Sequence, residues 1–312
     1  MSKRKKSYDV LCAGELLVDL MSIDFADDFR KVEHFKRVQG GSPANVAMNM
    51  AKLGNRVSLV AGVGQDDMGN FLIESLEKVG VTTQYIARTS NPTSLILVTR
   101  SKTVSHFEAY RAADYKLTAQ QFPEELLRAT RLFHTTCFAL SKVPAQKSIV
   151  AAATQAHRYG AQLSIDLNYA PKIWANRKKA QSLVAAYCAQ EAIVKLSEVD
   201  WSRLYKRPLS DAESAGQYFI DLGAKIVCIT LGSEGVWAMS SKETHFLPSR
   251  PIEVKDTTGA GDAFWAGFLT AWLDENSLLN CAKAGRSMAE LKIQHFGALN
   301  RSVERSVLYN DQ

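Results

Sequence analysis

Short runs rich in β-branched residues alternate with longer helical patterns through most of this 312-residue chain. Because parallel strands need a long crossover connection, usually a helix, that alternation predicts βαβ units. The runs that read as buried strands are Tyr8–Cys12, Val57–Val60, Leu132–Thr135, Gln162–Ile165, Ala192–Lys195 and Lys225–Thr230. The helical patterns cover Ala44–Leu53, Met68–Val79, Ala145–Tyr159, Gln181–Ala189 and Ala212–Leu222. The sequence therefore predicts an α/β fold: a doubly wound, mostly parallel sheet with helices on both faces.

Two regions, 19–37 and 94–110, alternate with a period of two and have no helix between their runs. They predict two hairpins, Asp19–Ile23 with Val32–Arg37 and Ser94–Thr99 with Ser105–Tyr110. Four strands without helices of their own cannot bury both faces, so they should lie over the main cleft or a second subunit. We find no repeat or Pro/Gly-rich linker in the sequence. We therefore expect a single domain, residues 1–312, with this small sheet as its lid.

The composition is ordinary for a globular protein, with 46% hydrophobic and 22% charged residues. Much of the net charge of +6 lies in a short basic tail at Lys3–Lys6, and charges of both signs are mixed elsewhere. We expect no nucleic-acid partner. No apolar run approaches the roughly 18–20 residues of a membrane span. The five cysteines form no C-x-x-C pair, which argues against a zinc site or a disulfide framework and favours a reduced, cytoplasmic protein.

The segment Asp256–Asp262, with the sequence DTTGAGD, stands directly before an apolar, Ala-rich helical pattern. A helix N-terminus leaves N–H groups unpaired and carries partial positive charge, and residues without side chains let an anion come close. Gly259, Ala260 and Gly261 are therefore candidates for an anion hole that stabilises developing phosphate charge. Asp262 is a candidate base for a hydroxyl that attacks the phosphate. The alternative is a simple turn followed by a favourable first-turn acid.

A second group of candidate residues lies near the start of the chain. Asp19 follows the first strand, and the sequence GGSPAN at 40–45 opens a helix. Gly40 and Gly41 allow a ligand close to the backbone, and Asn45 offers both a donor and acceptors. An acid and an amide that converge suit the recognition of sugar hydroxyls. Taken alone, these residues have an equally good alternative interpretation: Asp19 is an acid of the hairpin, and the glycines cap the helix.

Two incomplete motifs argue against other nucleotide-binding enzymes. The sequence Gly62–Gly64 is not followed by the third glycine of a dinucleotide-binding fingerprint. Gly64 and Gly69 have the spacing of a P-loop opening, but Asn70 and Phe71 stand where lysine and serine or threonine are required. A dinucleotide oxidoreductase and a P-loop ATPase are both disfavoured.

Taken in order, Gly40–Gly54, Gly62–Gly69 and Asp256–Asp262 resemble the PfkB (ribokinase-like) carbohydrate kinases, and the resemblance runs from about Tyr8 to Gly297. The resemblance implies transfer of the γ-phosphoryl group of ATP to a sugar hydroxyl, with Mg²⁺ and often a monovalent cation such as K⁺. It implies a doubly wound α/β domain with a small β-sheet lid, as the two hairpins predict independently. The apolar outer face of that lid further suggests a homodimer.

The resemblance also assigns roles. It implies Asp262 as the catalytic base beside the anion hole of Gly259–Gly261. The residues expected to hold the sugar are Asp19, Gly40, Gly41 and Asn45. The residues expected to bind the nucleotide are Asn168, Ser197, Thr230, Gly232 and Gly235. Asp256 and Thr258 would hold the monovalent cation together with carbonyl groups around Gly297.

Two positions depart from the family pattern. Many relatives have an arginine where this chain has Ala170, so one contact to phosphate charge is missing or is supplied by Lys172. The family's N-x-x-E element near the metal reads Ser197-Glu198-Val199-Asp200 here. Asp200 is shorter than glutamate by a methylene and would reach Mg²⁺ through water.

The choice of sugar depends on the stretch Phe107–Asp114, which leaves the second hairpin toward the cleft. Tyr110 followed by Arg111 resembles the fructokinase and 2-keto-3-deoxygluconate kinase branches, and Arg111 offers a forked donor to substrate. The alternative for Arg111 is an ion pair with Glu108 or Asp114. Because Asp19 favours a neutral polyol, fructose is the expected substrate. One alternative is a 2-keto-3-deoxygluconate kinase or another ribokinase-like kinase. An alternative of another class is a catalytically weak sugar-binding regulator.

Overall fold

The computed structural model describes residues 6–26, 28–100, 106–295, 299 and 302–310. Its strands are β1 (Tyr8–Ala13), β2 (Leu17–Phe25), β3 (Phe35–Gly40), β4 (Val57–Val60), β5 (Gly62–Gly64), β6 (Ala87–Thr89), β7 (Leu95–Arg100), β8 (Phe107–Tyr110), β9 (Thr130–Thr136), β10 (Gln162–Asp166), β11 (Ile193–Ser197), β12 (Ile226–Thr230), β13 (Gly235–Met239) and β14 (Thr244–Pro248). Its helices are α1 (Ser42–Lys52), α2 (Asp67–Glu77), α3 (Glu124–Arg128), α4 (Ala145–Arg158), α5 (Arg177–Cys188), α6 (Glu198–Tyr205), α7 (Ala212–Asp221), α8 (Ala260–Leu273) and α9 (Leu278–Ile293).

In the described part of the chain, eight strands form the central sheet in the order β14-β13-β12-β11-β10-β9-β1-β4. The strands from β4 to β12 in that order run parallel, and β13 and β14 add an antiparallel edge. All the strands predicted for this sheet are present, within two residues at either end. The mostly parallel α/β sheet is therefore confirmed.

Side chains of the sheet alternate between two buried cores. Val10 and Cys12 of β1 join a core that includes residues of α1, α8 and α9. Leu11 and Ala13 of the same strand join a core that includes residues of α4, α5 and α7. Because successive strand residues point to opposite faces, the two cores lie on opposite sides of the sheet. Helices therefore cover both faces, as the sequence predicts.

The predicted helices are present with small shifts at their ends. The largest shift is at α5, which begins at Arg177 rather than at Gln181. Asn176 caps this helix, because its side chain accepts a hydrogen bond from the Lys179 N–H. The helix opens with Arg177, Lys178 and Lys179, so the apolar periodicity did not reveal its start.

The lid is a separate sheet of strands β3, β2, β7 and β8 in that order. β2 pairs antiparallel with β3, β7 pairs antiparallel with β8, and the two hairpins meet through a parallel pairing of β2 with β7. The two predicted hairpins and their union in one sheet are confirmed. The expected start of the last strand, at Ser105, lies outside the described residues.

Across the ranges that the structure describes, no helix combines the length and the apolar character needed to cross a membrane.

Candidate active site

The carboxyl ends of the parallel strands open into a cleft of about 950 Å³. Asp166, Ser197 and Thr230 end β10, β11 and β12, and all three line this cleft. Of the predicted site residues, Asn168, Asp200, Gly232, Gly235, Gly259, Ala260, Gly261 and Asp262 also line it. The structure thus brings the expected nucleotide site and the expected catalytic segment to the same space, as the position of strand ends in α/β sheets predicts.

Helix α8 begins at the predicted glycine-rich segment. Gly259 precedes the helix with φ 74°, a left-handed conformation that glycine adopts without steric cost. The N–H of Ala260 donates to the carbonyl of Thr257 at 3.1 Å. A helix leaves its first-turn N–H groups without intrahelical partners. In α8, the N–H groups of Gly261 and Asp262 are the ones that remain to bind an anion. An anion hole here would depend on these two rather than on Ala260.

The carboxylate of Asp262 is held from the start of α1. Ser42 Oγ donates to Asp262 Oδ1 at 2.6 Å, and Asn45 Nδ2 donates to Oδ2 at 2.8 Å. Gln39 Nε2 in turn donates to Asn45 Oδ1 at 3.1 Å. The α1 N-terminus requires Gly41, which has φ 99°, because a Cβ there would lie 2.3 Å from the Glu15 carbonyl oxygen. The bond from Ser42 was not predicted, although Ser42 stands inside the GGSPAN motif.

A second, smaller pocket of about 60 Å³ lies under the lid. Asp19, Gln39 and Asn45 line it. The Asp19 carboxylate packs on Gly40, where a Cβ would lie 2.3 Å from Oδ2, so a larger residue at position 40 would displace the acid. The predicted sugar-binding residues Asp19, Gly40 and Asn45 are thus together. Asn45 also contacts Asp262, which lines the large cleft.

The two acids of this region hold their protons more tightly than ordinary aspartates. Burial, together with the negative charge of Asp262, raises the pKa of Asp19 to about 7. Burial also raises the pKa of Asp262, although the hydrogen bonds from Ser42 and Asn45 and the charges of two lysines oppose the rise. A base with a raised pKa is better matched to proton abstraction near neutral pH.

Lys195 is a residue of the cleft that sequence reasoning missed. Its side chain is buried, and Nζ lies 2.7 Å from Asp166 Oδ2. A Cβ placed on Gly261 would lie 3.4 Å from the same Nζ, so the ammonium sits beside the first turn of α8. Burial raises the pKa of Asp166 to about 6 even with this partner. The signal in the sequence was a lysine inside the run Ala192–Lys195, which otherwise reads as a buried strand.

Asp200, predicted as a water-linked magnesium ligand, lines the cleft and is also engaged in hydrogen bonds to the chain. Its Oδ2 accepts hydrogen bonds from the N–H and the hydroxyl of Ser197, and its Oδ1 accepts one from the Tyr169 N–H. With Ser197 it forms a capping box that starts α6. Both carboxylate oxygens are thus engaged in holding the chain.

The carboxylate that faces the cleft from this turn is that of Glu198, which is exposed and lies 4.0 Å from a Cβ placed on Gly232. Among the described residues there is no group of three or more His, Cys, Asp or Glu that could hold a metal ion.

The expected monovalent-cation residues lie beside a lysine. Asp256 Oδ1 accepts a hydrogen bond from the Thr258 N–H at 2.9 Å. Asp256 Oδ2 lies 3.5 Å from Lys292 Nζ, and both side chains are largely buried. Lys292 was not singled out in the sequence. The carbonyl groups expected around Gly297 lie outside the described residues.

Arg111 forms an ion pair with Asp114, which was the predicted alternative to binding substrate. Arg111 Nη2 lies 2.6 Å from Asp114 Oδ2, with 2% of the arginine and none of the aspartate side chain exposed. The guanidinium also lies over the Phe138 ring. Lys172, suggested as a phosphate contact, instead pairs with Glu108 of β8 at 2.7 Å. The structure places neither cation at the cleft.

A family model described as "pfkB family carbohydrate kinase" matches residues 8–305. The chain belongs to this family. It is 33% identical over 294 residues to an ATP-dependent 6-phosphofructokinase of Thermoanaerobacterium thermosaccharolyticum, covering 94% of this chain and 90% of the relative. It is 30% identical to a probable fructokinase-3 of Arabidopsis thaliana, covering 86% and 79%.

Among solved structures, an uncharacterized sugar kinase from Pyrococcus horikoshii in complex with ATP superposes with a TM-score of 0.81 and 26% identity, covering 93% of both chains. These relatives confirm the predicted family and its fold. Membership of the pfkB family makes carbohydrate kinase the general function of the chain.

Proposed function

We propose that this pfkB-family protein transfers the γ-phosphoryl group of ATP to a primary hydroxyl of a keto sugar, with fructose as the substrate. One observation carries the proposal. Asn45 lines the pocket under the lid, Asp262 lines the large cleft, and a hydrogen bond of 2.8 Å joins them. A sugar held in the pocket and a nucleotide held in the cleft would therefore meet at Asp262.

In this mechanism the Asp262 carboxylate accepts the proton of the sugar hydroxyl as its oxygen attacks the γ-phosphorus. The bond from that phosphorus to the β–γ bridging oxygen breaks, and ADP leaves. Phosphoryl transfer places negative charge on the oxygens of the transferred group, so its catalysis depends on positioning and positive charge. The N–H groups of Gly261 and Asp262 and the Lys195 ammonium supply that charge from the protein.

Mg²⁺ would neutralise phosphate charge when it is bound with the nucleotide. Glu198, exposed in the cleft near Gly232, is the side chain best placed to contact its water shell. The nucleotide would lie along the turn between β12 and β13, which runs from Thr230 through Gly232 to Gly235 and lines the cleft.

Fructose is favoured by Asp19, whose side chain lines the sugar pocket. A carboxylate accepts hydrogen bonds from neutral hydroxyls, and an amide both donates to them and accepts from them. The negative charge of ionised Asp19 would repel an acid sugar. The relative named as a probable fructokinase supports this choice.

Fructose 6-phosphate is a second candidate, favoured by two lysines. Lys36 and Lys52 line the same pocket as Asp19. Burial lowers the pKa of Lys52 to about 8, so a phosphate group beside it would favour its charged form. The relative named as an ATP-dependent 6-phosphofructokinase is consistent with this candidate.

A coupled assay of ADP release tests both candidates. The substrates are fructose, fructose 6-phosphate, 2-keto-3-deoxygluconate and ribose, with ATP and Mg²⁺. We expect turnover with fructose or its 6-phosphate. Asp262→Asn should lower kcat at least ~10²-fold with nucleotide binding retained, as removal of a general base does. The matched control is Asp67→Asn, an exposed first-turn acid of α2, which should leave kcat unchanged. Equal kcat in both variants would contradict the assignment of the base.

We also infer a homodimer formed through the lid. Ile23, Phe25 and Tyr110 of its strands expose 51%, 57% and 62% of their surface. All three belong to one small sheet, and exposed apolar side chains favour contact with another protein surface. Light scattering of Phe25→Ser and wild-type protein would test this inference, and a monomeric wild type would exclude it.

A further inference from the structure

Lys292, at the end of α9, is a buried cation beside the loop that precedes α8. Its Nζ lies 3.5 Å from Asp256 Oδ2, with 8% of the lysine and 9% of the aspartate side chain exposed. A Cβ placed on Gly259 would lie 3.9 Å from Lys292 Cε, so the lysine stem runs under the residue that caps α8. The positive charge of Lys292 also opposes the rise in the pKa of Asp262.

The same loop is fastened to the end of α9 by its backbone. The N–H groups of Lys255 and Asp256 both donate to the carbonyl of Ile293, at 2.9 and 3.1 Å. The ion pair of Asp256 with Lys292 joins the same loop to the end of α9 through side chains. Charge and backbone together therefore hold the loop at the start of α8, whose first turn carries Asp262.

These contacts fit a monovalent metal ion poorly. A cation bound at Asp256 would need the carboxylate oxygens as ligands. Oδ1 already accepts the Thr258 N–H, and Oδ2 faces the Lys292 ammonium. A second positive charge beside that ammonium would be repelled across a largely buried space, where screening by water is weak.

We propose that the Lys292 ammonium acts as a tethered monovalent cation at Asp256, so that this kinase needs no added K⁺. The proposal rests on the proposed kinase function and concerns the same site. Lys292 and Asp256 also line the pocket under the lid. The role proposed for Lys292 is positioning: it neutralises Asp256 and thereby fixes the loop and the first turn of α8. The expectation of K⁺ at Asp256 and Thr258 is replaced by a side chain of the protein itself.

The test measures kcat/KM and thermal midpoint in KCl, NaCl and choline chloride at equal ionic strength. The wild type should be indifferent to the cation. Lys292→Met keeps the length of the stem and removes the charge. In choline chloride it should lose at least ~10-fold in kcat/KM, a transition-state loss of roughly 1.4 kcal/mol, and K⁺ should restore part of it. Its thermal midpoint should rise with K⁺ but not with choline.

Two further variants sharpen the result. Asp256→Asn combined with Lys292→Met removes both charges and should abolish the K⁺ response. Lys242→Met, at an exposed lysine between β13 and β14, is the control and should behave as wild type. Strong K⁺ activation of the wild type, or a Lys292→Met protein indifferent to K⁺ in both measurements, would overturn the proposal. Because the thermal midpoint needs no sugar, failure of every substrate would count against the proposed function alone.

If Lys292→Met does not fold, the Lys292→Arg variant tests the proposal instead. It keeps the positive charge and should remain indifferent to K⁺ in both activity and thermal midpoint. K⁺ dependence of that variant would overturn the proposal.

Discussion

Ser42 and Asp262 lie 220 positions apart in the chain, yet Ser42 Oγ donates a hydrogen bond of 2.6 Å to Asp262 Oδ1. The bond joins the first residue of α1 to the first turn of α8. Because a hydrogen bond to a carboxylate favours its ionised form, Ser42 tunes the group that we assign as the base. It also fixes the direction in which the remaining lone pairs of Asp262 point.

Ser42→Ala should move the acidic limb of the kcat profile to higher pH. The pKa of Asp262 is already raised by burial, and loss of a hydrogen bond to the charged form raises it further. Such a bond contributes about 1.5–3 kcal/mol, which corresponds to a displacement of about one pH unit or more. The measurement is kcat from pH 5 to 9 at saturating ATP and sugar.

The control for this variant is Ser75→Ala, whose hydroxyl donates to the Phe71 carbonyl within α2. It should leave the profile in place. A Ser42→Ala profile that coincides with the wild-type profile would show that the hydrogen bond does not tune the base.

Asp19 should make the KM for sugar depend on pH around neutrality. Its pKa is raised to about 7, so the carboxylate is protonated below that pH and ionised above it. Hydrogen bonds to an ionised acceptor are stronger than those to a neutral one, and KM should therefore fall as pH rises through 7. In Asp19→Asn we expect a higher KM that does not change over this range. Both proteins are measured at saturating ATP and Mg²⁺, and a wild-type KM that is flat from pH 6 to 8 would contradict the assignment.

Lys195→Met separates a structural from a catalytic role of the buried pair with Asp166. Removing one partner of a buried ion pair leaves an uncompensated charge, and we expect a loss of about 3–5 kcal/mol in the free energy of unfolding. Asp166→Asn combined with Lys195→Met should recover most of that stability. The kcat of the double variant should remain at least ~10²-fold below that of the wild type, since the positive charge beside Gly261 stays absent.

Urea unfolding and steady-state kinetics on the same preparations give both quantities. If the double variant regains turnover together with stability, Lys195 serves only to neutralise Asp166.

The site could be predicted where its chemistry is local in the sequence. Gly259 and Asp262 follow the rules of a helix start, and Gly41 and Asn45 do the same at α1. Lys195 and Lys292 could not be assigned in this way. Their roles depend on Asp166 and Asp256, which lie 29 and 36 positions away and meet them only in the folded chain.

The fold shows the same division. The parallel strands of the central sheet were evident because each is a short run rich in apolar residues between helical patterns, whereas β13, β14 and α9 were among the elements not predicted. Gly285 in the middle of α9 lowers helix propensity. The structure explains it, because a Cβ there would lie 2.6 Å from the Phe264 ring of α8. Close packing of two helices required a glycine that local propensity argues against.

Arg111 and Lys172 give a final, matched comparison of two cations that sequence reasoning placed at the site. The pair of Arg111 with Asp114 is buried, so Arg111→Met should cost about 3–5 kcal/mol in the free energy of unfolding. Lys172 pairs with Glu108 while both side chains are at least half exposed, and Lys172→Met should cost less than about 1 kcal/mol. Urea unfolding measures both losses, and KM for sugar is measured in parallel. If Arg111→Met keeps wild-type stability and raises only this KM, Arg111 binds substrate directly, and its ion pair with Asp114 contributes little to the fold.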